Sequence, residues 1–465
     1  MTDVSMGGNV NVEITPANTL SNGKISYKGG APVIQFVIGE QDRLLIGKSV
    51  RLCGNFRVKL NSSGSATDMV LPAAGGGAAA GANLRLPERL GTYAMIDQLV
   101  IKSQATHQVI EHVRHYSRFA ASFIPITNSL DDSTSHLMES ALIAGNYDIH
   151  KRSVVDLPSQ RTTGNEFCMS LPCGLFNGVQ DIPLAKDWGL QGLLVEIHLA
   201  PDQNVLFSGD QTPDAVPPFP DAFYELSDVK LVAEMVNPDQ QMMSQMSASG
   251  STFEYNSISS YFSSINSSNA IVNFQLGMRR VLGVFANFIA SEQINSLAWD
   301  GTATAPLKNA DGSSANIEQL VFTRGGTRFP LEYNIDTQQK DDTVNPTQKQ
   351  EVVDAQVTRG YLDSVKAFAD LNRTGISTRN TWLSDHSLTG ASRLQEDKTA
   401  VEGGAVYGIG VAYDTISGDG VDFSQLNWGV QFDLGLVSNR PHAMYVFVHS
   451  KNTLVFNSSG LQVIQ

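Results

Sequence analysis

The chain has 465 residues, of which 42% are hydrophobic and 17% are charged, and its net charge is −14. That length suits two or three domains, and an acidic chain without a basic arm is not expected to bind nucleic acid directly. Three cysteines, an odd number, argue against a disulfide framework. The N-terminus has no basic region followed by an apolar run, so no secretory signal is expected, and no stretch approaches the length of a membrane span.

Strand patterns dominate the first part of the chain. Residues 1–30 are small and polar and are predicted to form an N-terminal arm. From Val50 to Leu60 apolar and polar residues alternate, which is the period of a half-buried strand. A Gly- and Ala-rich stretch at 62–82 is predicted to be a surface loop. The polar face of the predicted strand holds Arg51, Cys53, Asn55, Arg57 and Lys59.

One motif occurs twice. IDQLVIKSQATHQVIEH, from Ile96 to His112, shares Ile, Gln, Leu, Val, Thr and Glu with IEQLVFTRGGTRFPLEY, from Ile317 to Tyr333, at a constant offset of 333 − 112 = 221. A second pair, DWGLQ at Asp187 and NWGVQ at Asn427, follows in the same order at an offset of 427 − 187 = 240. The two pairs indicate that the chain contains two diverged copies of one β-rich domain.

Two helices are predicted between the strands. DDSTSHLMESALIAG has helical spacing, with Asp132 or Ser133 as the N-cap and Gly145 at the end. QKQEVVDAQVTRGYLDSVKAFADLNRTG has apolar residues every three or four positions and ends at Gly375. Strands are predicted over most of the remainder, including FYELSDVKLVAEMV, NWGVQFDLGL, HAMYVFVHS and NTLVF.

The predicted division of the chain is an arm at 1–30, a first domain at 31–236, a linker at 237–251 and a second domain at 252–465. A polar loop is predicted at 300–316, before the second copy of the motif, just as the loop at 62–82 precedes the first copy. Irregularly spaced strands in units of about 200 residues predict a sandwich or a jelly roll, in which two antiparallel sheets lie face to face.

The histidines of the first motif raise the question of a metal site. His107, His112 and His115 surround Glu111, and the last two histidines could share one face of a helix. Zinc requires three or four converging ligands, commonly from spacings such as H-E-x-x-H or H-x-x-E-H, and the spacing from His107 to His112 is one residue too long for the second of these.

The second copy of the motif argues against the metal. There, Arg328 replaces the first histidine and Tyr333 the second, whereas the carboxylate persists as Glu332. A feature that both copies keep is better explained by the shared architecture than by a ligand set that only one copy has. A structural hydrogen bond or ion pair of the glutamate is therefore predicted.

The remaining cysteines and acidic pairs also favour a structural role. Cys168 and Cys173 have no histidine or further cysteine nearby, so both are expected to be buried free thiols. The adjacent carboxylates Asp131-Asp132 and Asp341-Asp342 lie in polar loops, whereas glycosidases require two carboxyl groups that converge across a groove.

Aromatic and glycine motifs give no catalytic site either. Trp188 and Trp428 could stack on sugars, but both precede apolar strands and are predicted to pack in the core or at a sheet edge. The chain has no phosphate-binding loop, dinucleotide fingerprint or nucleophile elbow. No catalytic, cofactor-binding or metal-binding residue is predicted, and no cofactor is expected.

Four segments carry a resemblance to a known family: GGAPVIQFVIGEQDRLLIGKSVRLCGNFRV, YAMIDQLVIKSQATHQVIEHVRHYSRF, FYELSDVKLVAEMV and NTLVFNSSGLQVIQ. They resemble strands and turns of the double jelly-roll major capsid proteins of virophages, polinton-like viruses and large DNA viruses. The resemblance implies an all-β fold of two tandem eight-stranded antiparallel jelly rolls with short helices in the connections.

The resemblance also implies a function. The chain would be a non-enzymatic capsid protein of the virion, made in the host cell interior, whose homotrimers have a pseudo-hexameric outline and tile an icosahedral shell. Its partners would be neighbouring capsomers and penton and minor capsid proteins. The loops at 62–82 and 300–316 would face outward.

Two alternatives remain at this level. A carbohydrate-binding or carbohydrate-cleaving β-sandwich would need aromatic platforms, and for cleavage two convergent carboxylates. A minor or vertex capsid protein would share the architecture of a single roll, which the two copies of the motif argue against.

Overall fold

The computed structural model describes a large part of the chain, with gaps. The described residues are 10–18, 23–28, 30, 32–62, 65–68, 86–87, 90–127, 136–142, 165–178, 180–186, 189–206, 222–238, 244, 252–267, 269–291, 294, 307–308, 314–315, 319–329, 362–368, 371, 409–413, 419–424, 428–433, 441–457 and 460–464.

The first twelve strands form two antiparallel sheets. In the larger sheet β12 pairs with β1 and β5, and β5 pairs with β9, while β2, β4, β6 and β10 extend it. The facing sheet has the order β3-β11-β7-β8. The strands are β1 Val10–Ile14, β2 Lys24–Ile25, β3 Val33–Ile38, β4 Leu44–Leu45, β5 Arg51–Ser62, β6 Ser65–Asp68, β7 Ile96–Ser103, β8 Val109–Val113, β9 Asn165–Ser170, β10 Ile182–Pro183, β11 Leu193–Leu199 and β12 Ala222–Val236.

The later strands repeat this arrangement. One sheet has the order β13-β22-β15-β20, with β23 added beside β22, and the facing sheet has the order β14-β21-β18-β19. The strands are β13 Thr252–Ile265, β14 Asn269–Phe274, β15 Val281–Ala290, β16 Leu307–Lys308, β17 Ser314–Ala315, β18 Gln319–Arg324, β19 Thr327–Phe329, β20 Ile409–Ala412, β21 Trp428–Asp433, β22 His442–Asn457 and β23 Gly460–Ile464.

Both halves are eight-stranded jelly rolls with identical connectivity. Counting eight main strands in each half, one sheet has the order first-eighth-third-sixth and the other second-seventh-fourth-fifth. The predicted fold class, two tandem antiparallel jelly rolls with short helices, is confirmed. We refer to the strands β1–β12 as the first roll and to β13–β23 as the second roll.

The repeated motif occupies the same place in both rolls. Its strand is β7 in the first roll and β18 in the second, and each is the third strand of its sheet. Leu99 and Leu320, which the offset of 221 aligns, are both fully buried. The duplication read from the sequence is thus a repetition of one strand in two rolls.

Helices are short and lie in the connections. Helix α1 follows β8 directly, and the others connect strands of the first roll. A further helical turn lies at 362–366, inside the stretch predicted as a long helix, and Gly375 is outside the described residues. The helices are α1 Tyr116–Thr127, α2 His136–Ala141, α3 Gly174–Asn177 and α4 Asp202–Val205.

Several predictions about elements need correction. The stretch 1–30, predicted as an arm, contains β1, whose residues pair with Leu231 to Met235 of β12. HAMYVFVHS and NTLVF are one strand, β22, and not two. Helix α1 and the Ser-rich strand β13 were not predicted. The predicted loop at 62–82 contains β6, which pairs with β5, and the predicted loop at 300–316 contains the small pair β16 and β17. The domain bounds 31–236, 237–251 and 252–465 stay a prediction.

Alternation in β5 is confirmed, and it places two cysteines together. Leu52 and Phe56 are fully buried, whereas Arg51 is exposed. The register of β5 and β9 sets Cys53 opposite Cys168, and these two residues form a disulfide. The expectation of a free thiol was therefore wrong for Cys168, because an odd number of cysteines leaves room for a single cross-strand bridge.

Candidate functional site at the junction of the two rolls

A continuous apolar core joins the rolls. The outer face of the sheet β13-β22-β15 lies against α1, so that its large side chains share one buried cluster with the interior of the first roll. The interior of the second roll forms a separate cluster. We call this contact the junction. From the second roll it contains Ile258, Phe285, Asn287, Tyr445 and Phe447, and from the first roll Glu111, Phe119, Phe123 and Gly174.

Aromatic rings fill the centre of the junction. The Phe119 ring lies 5.7 Å from that of Phe447 and 5.8 Å from that of Phe368, in edge-to-face geometry. Phe123 contacts the same Phe368 ring at 5.7 Å. The spacing of four residues places Phe119 and Phe123 on one side of α1, so this helix presents an apolar face to the second roll. Burial of these rings is a large favourable contribution to docking.

Glu111 provides the polar part of the junction. It lies in the middle of β8 of the first roll and is 2% exposed. Oε1 accepts hydrogen bonds from the backbone N–H of Gly174 and of Ile258, both at 2.8 Å, and Oε2 accepts one from Leu175 at 2.8 Å. The structural hydrogen bonding predicted for this glutamate is confirmed. Its counterpart Glu332 lies outside the described residues.

A glycine allows the close backbone approach at this place. A Cβ atom on Gly174 would lie 2.4 Å from the Asn256 carbonyl oxygen and 2.4 Å from the Ser257 Cα. Side chains longer than hydrogen therefore clash with the backbone of β13. The sequence gives Gly174 no special signal, since it stands in no recognised motif.

Two further polar contacts cross the junction. The Tyr255 hydroxyl donates to the Ile110 carbonyl at 2.7 Å. Asn287 donates through Nδ2 to the Arg118 carbonyl at 3.1 Å and to the Ser122 Oγ at 2.7 Å. The Tyr255 hydroxyl and the Asn287 amide thereby find partners in the other roll, which lowers the cost of burying them.

Burial dominates the electrostatics around Glu111. It raises the pKa of Glu111, while the three N–H donors and the nearby Cys173 thiol act in the opposite direction. Burial also raises the pKa of the Cys173 thiol well above its ordinary value. Cys173 is free and buried, as predicted. A thiol with such a pKa is protonated at neutral pH and is not an activated nucleophile.

The three histidines do not converge. His107 lies exposed in the turn after β7, while His112 points from β8 to Gln98 at 2.9 Å. His115 lies in the turn before α1, with its ring 5.0 Å from that of Tyr445. The helical face suggested for His112 and His115 was wrong, because His112 belongs to a strand.

Burial lowers the pKa of both His112 and His115. Neutral imidazoles are therefore favoured at both places. Over the described ranges, no group of three or more His, Cys, Asp and Glu residues is arranged to hold a metal ion.

Trp428 has the core position predicted for it. It is fully buried, its ring lies 5.4 Å from that of Phe274, and its Nε1 donates to the Tyr413 hydroxyl at 3.1 Å. A side chain enclosed in this way presents no surface on which a sugar could stack. Trp188, Asp131-Asp132 and Asp341-Asp342 lie outside the described residues. Among the helices that the structure describes, none has the length and apolar character needed to cross a membrane.

Comparisons with known proteins give matches in structure only. No protein-family model and no curated protein matches the sequence. PBCV-1 VP54, fitted into a cryo-EM reconstruction of the virophage Sputnik, matches with a TM-score of 0.54 and 10% identity, over 98% of this chain and 96% of that chain. The Faustovirus major capsid protein matches with a TM-score of 0.54 and 10% identity, over 97% of this chain and 90% of that chain.

The quasi-atomic model of the PBCV-1 virus capsid gives a TM-score of 0.50 at 9% identity, over 98% of this chain and 96% of that chain. Because each match covers nearly all of this chain and nearly all of the other chain, both rolls and their order in the chain are shared. At such low identity it is the fold that is shared. The chain has the double jelly-roll fold of viral major capsid proteins.

Proposed function

We propose that the chain is a structural major capsid protein with no enzymatic activity, and that three copies form a pseudo-hexameric trimer that tiles an icosahedral viral shell. The observation that carries the proposal is the pair of rolls with identical strand order in one chain. Three such chains offer six similar modules, which is the number needed for a sixfold outline from a threefold assembly.

The junction supports this proposal because a building block of a shell must hold its shape. Rings from both rolls share one buried cluster, and the Glu111 carboxylate reaches both rolls. Inter-domain contacts of large apolar area resist relative motion of the domains. A double roll of this kind suits a tile better than two modules on a flexible tether.

The partners follow from the same proposal. The chain binds copies of itself within the trimer, neighbouring capsomers, and penton and minor capsid proteins, in the virion after synthesis in the host interior. The net charge of −14 makes direct contact with nucleic acid unfavourable. The loops at 62–82 and 300–316 are assigned to the outside of the shell.

The alternative of a sugar-binding protein is less well supported. Trp428, one of the two aromatic candidates, is enclosed by the core of the second roll. A minor or vertex capsid protein is also less well supported, because the match to the Faustovirus major capsid protein extends over both rolls.

Mass determination by light scattering on the purified chain, followed by negative-stain imaging, tests the proposal. We expect a particle with three times the monomer mass and a hexagonal outline in projection. A monomer that persists at high protein concentration contradicts it. Binding on a glycan array, with no assembly, would favour the sugar-binding alternative.

A further inference from the structure

One carboxylate oxygen connects two parts of the chain that are far apart in sequence. Oε1 of Glu111 accepts from the N–H of Gly174 in the first roll and from the N–H of Ile258 in the second, both at 2.8 Å. Oε2 accepts from Leu175, at the beginning of α3. The sequence separations are 63 residues to Gly174 and 147 to Ile258.

Loss of this carboxylate would leave three donors without an acceptor. Glu111 is 2% exposed, so water has little access to the N–H groups that surround it. A buried donor that loses its partner costs the desolvation free energy of that group, and the cost is higher where the acceptor was charged. The contact between the two rolls would therefore be weakened at this place.

The geometry leaves little room for a substitute. Gly174 lies so close to β13 that a methyl group would meet the Ser257 backbone at 2.4 Å. The side chain that reaches both backbones, Glu111, comes from β8. The neighbouring Tyr255 hydroxyl is already bonded to the Ile110 carbonyl at 2.7 Å.

We propose that Glu111 couples the two rolls into one cooperatively unfolding unit, so that its removal lets β13 detach from the first roll while the sheets of each roll persist. This role goes beyond that of a capsid subunit and does not depend on assembly. In this role, the hydrogen bonds of one residue, Glu111, make the stability of each roll depend on the other.

Hydrogen exchange on the full-length wild-type chain provides the first test. If the coupling holds, the amides of Gly174, Leu175 and Ile258 open together and exchange with the same dependence on denaturant. If the Ile258 amide exchanges through an opening of the second roll that leaves Gly174 protected, the proposal is overturned. This measurement needs no variant and so cannot fail through misfolding.

Two variants provide the second test. Glu111→Gln keeps the side-chain size and one acceptor oxygen, while Glu111→Ala removes both. We expect protection of the Ile258 amide to fall by about 10- to 100-fold in Glu111→Ala, as for loss of a hydrogen bond to a charged group, and by less in Glu111→Gln. Amides in β11 and in the centre of β22 should retain their protection.

A matched control separates this role from the general cost of removing a buried carboxylate. Glu196 is also buried in the first roll, where it pairs with Lys102 at 2.6 Å and accepts a hydrogen bond from Gln35 at 3.1 Å, two residues of the same roll. Glu196→Gln should lower the overall stability and leave the ratio of Ile258 to Gly174 protection unchanged. Equal effects of the Glu111 and Glu196 variants on that ratio would overturn the proposal.

The outcome is independent of the proposed capsid function. A chain that stays monomeric but shows coupled exchange would support the role of Glu111 and contradict the capsid proposal. A chain that forms trimers with uncoupled exchange would do the reverse.

Discussion

The outer faces of two corresponding sheets differ between the rolls. In the first roll the outer face of β12 and β5 carries charged side chains that pair with each other: Glu225 lies 3.2 Å from Lys59 and 3.4 Å from Lys24. In the second roll the outer face of β22 and β15 carries Phe447 and Phe285, both fully buried. The strand order is the same in both cases.

This difference shows that topology and surface are specified separately. Strand order depends on which residues face the inside of a roll, and both rolls bury apolar residues there. The outer face depends on what covers it. In the second roll α1 and the segment at 362–368 cover it. The outer face of the first roll instead carries ion pairs, in which the Lys59 and Glu225 side chains are 13% and 15% exposed.

The largest expected effect comes from the apolar side of this comparison. Phe119→Ala removes a fully buried ring that contacts both Phe368 and Phe447. The variant should lose about 3–5 kcal/mol of unfolding free energy, as for other buried phenylalanines. The measurement is the urea unfolding midpoint at constant slope.

Phe262→Ala is the control for that substitution. Phe262 lies on the same sheet but is 51% exposed, so its loss should cost less than about 1 kcal/mol. If both alanine variants unfolded at the same denaturant concentration, the apolar face would not be the stabilising element that we describe.

The next effect concerns the closeness of the two rolls. Gly174→Ala places a methyl group 2.4 Å from backbone atoms of β13 and should cost about 1–3 kcal/mol, as overpacking does. Gly178→Ala, for which the nearest atom would be 3.4 Å away, should be close to neutral. The thermal unfolding midpoints of the two variants measure this difference. If Gly174→Ala left the midpoint unchanged, the backbones of the two rolls would lie further apart at this place than the structure shows.

A third effect concerns pH and distinguishes the rolls by their buried carboxylates. Among the described residues the buried acids are Glu111, Glu196 and Asp202, all in the first roll. Burial raises the pKa of Asp202 to about 6 from an ordinary 3.8. The folded state then holds the proton more tightly than the unfolded state, so stability is highest below pH 4 and declines as the pH rises to about 6.

Asp202→Asn should remove that decline and keep the acceptor for the Tyr224 N–H, which lies at 3.0 Å. Relative to the variant, the wild type should lose about 1–2 kcal/mol between pH 4 and 6, since one pKa unit corresponds to about 1.4 kcal/mol. Unfolding titrations at several pH values measure it. Parallel pH curves for the two proteins would show that Asp202 does not titrate in this range.

The smallest effect belongs to the polar face of the first roll. Glu225→Gln removes the ion pairs with Lys59 and Lys24 and should cost about 0.5–1 kcal/mol, less at high salt, because the Lys24 side chain is 45% exposed and leaves the pairs open to screening. A larger loss that salt does not reduce would indicate that this face is enclosed like its counterpart in the second roll. Denaturant unfolding at two salt concentrations decides between these outcomes.

Local patterns predicted individual strands well. The alternation from Val50 to Leu60 matches β5, and the repeated motif matches β7 and β18. Both could be predicted because the two-residue period of a strand is visible in the order of apolar and polar residues. Helix α1 was missed although Phe119 and Phe123 have helical spacing. Strand β13 was missed because its serines weaken the apolar alternation, and its pairing with His442 to Val455 of β22 outweighs that weakness.

The candidate site was predicted only in part. A structural hydrogen bond of Glu111 followed from its persistence in both copies of the motif, but its partners did not. The bridge between Cys53 and Cys168 depends on the register of two strands that are 115 residues apart in the chain. Register of that kind cannot be read from either strand alone.

The sequence by itself determined that the chain is β-rich and built from two copies of one unit, because alternation and repetition are properties of residues close together or at a fixed offset. Only the tertiary structure decided which outer face is buried and which donors surround Glu111. These features arise from contacts between residues such as Glu111 and Ile258, 147 positions apart. The free energy of such contacts depends on burial that no local pattern records.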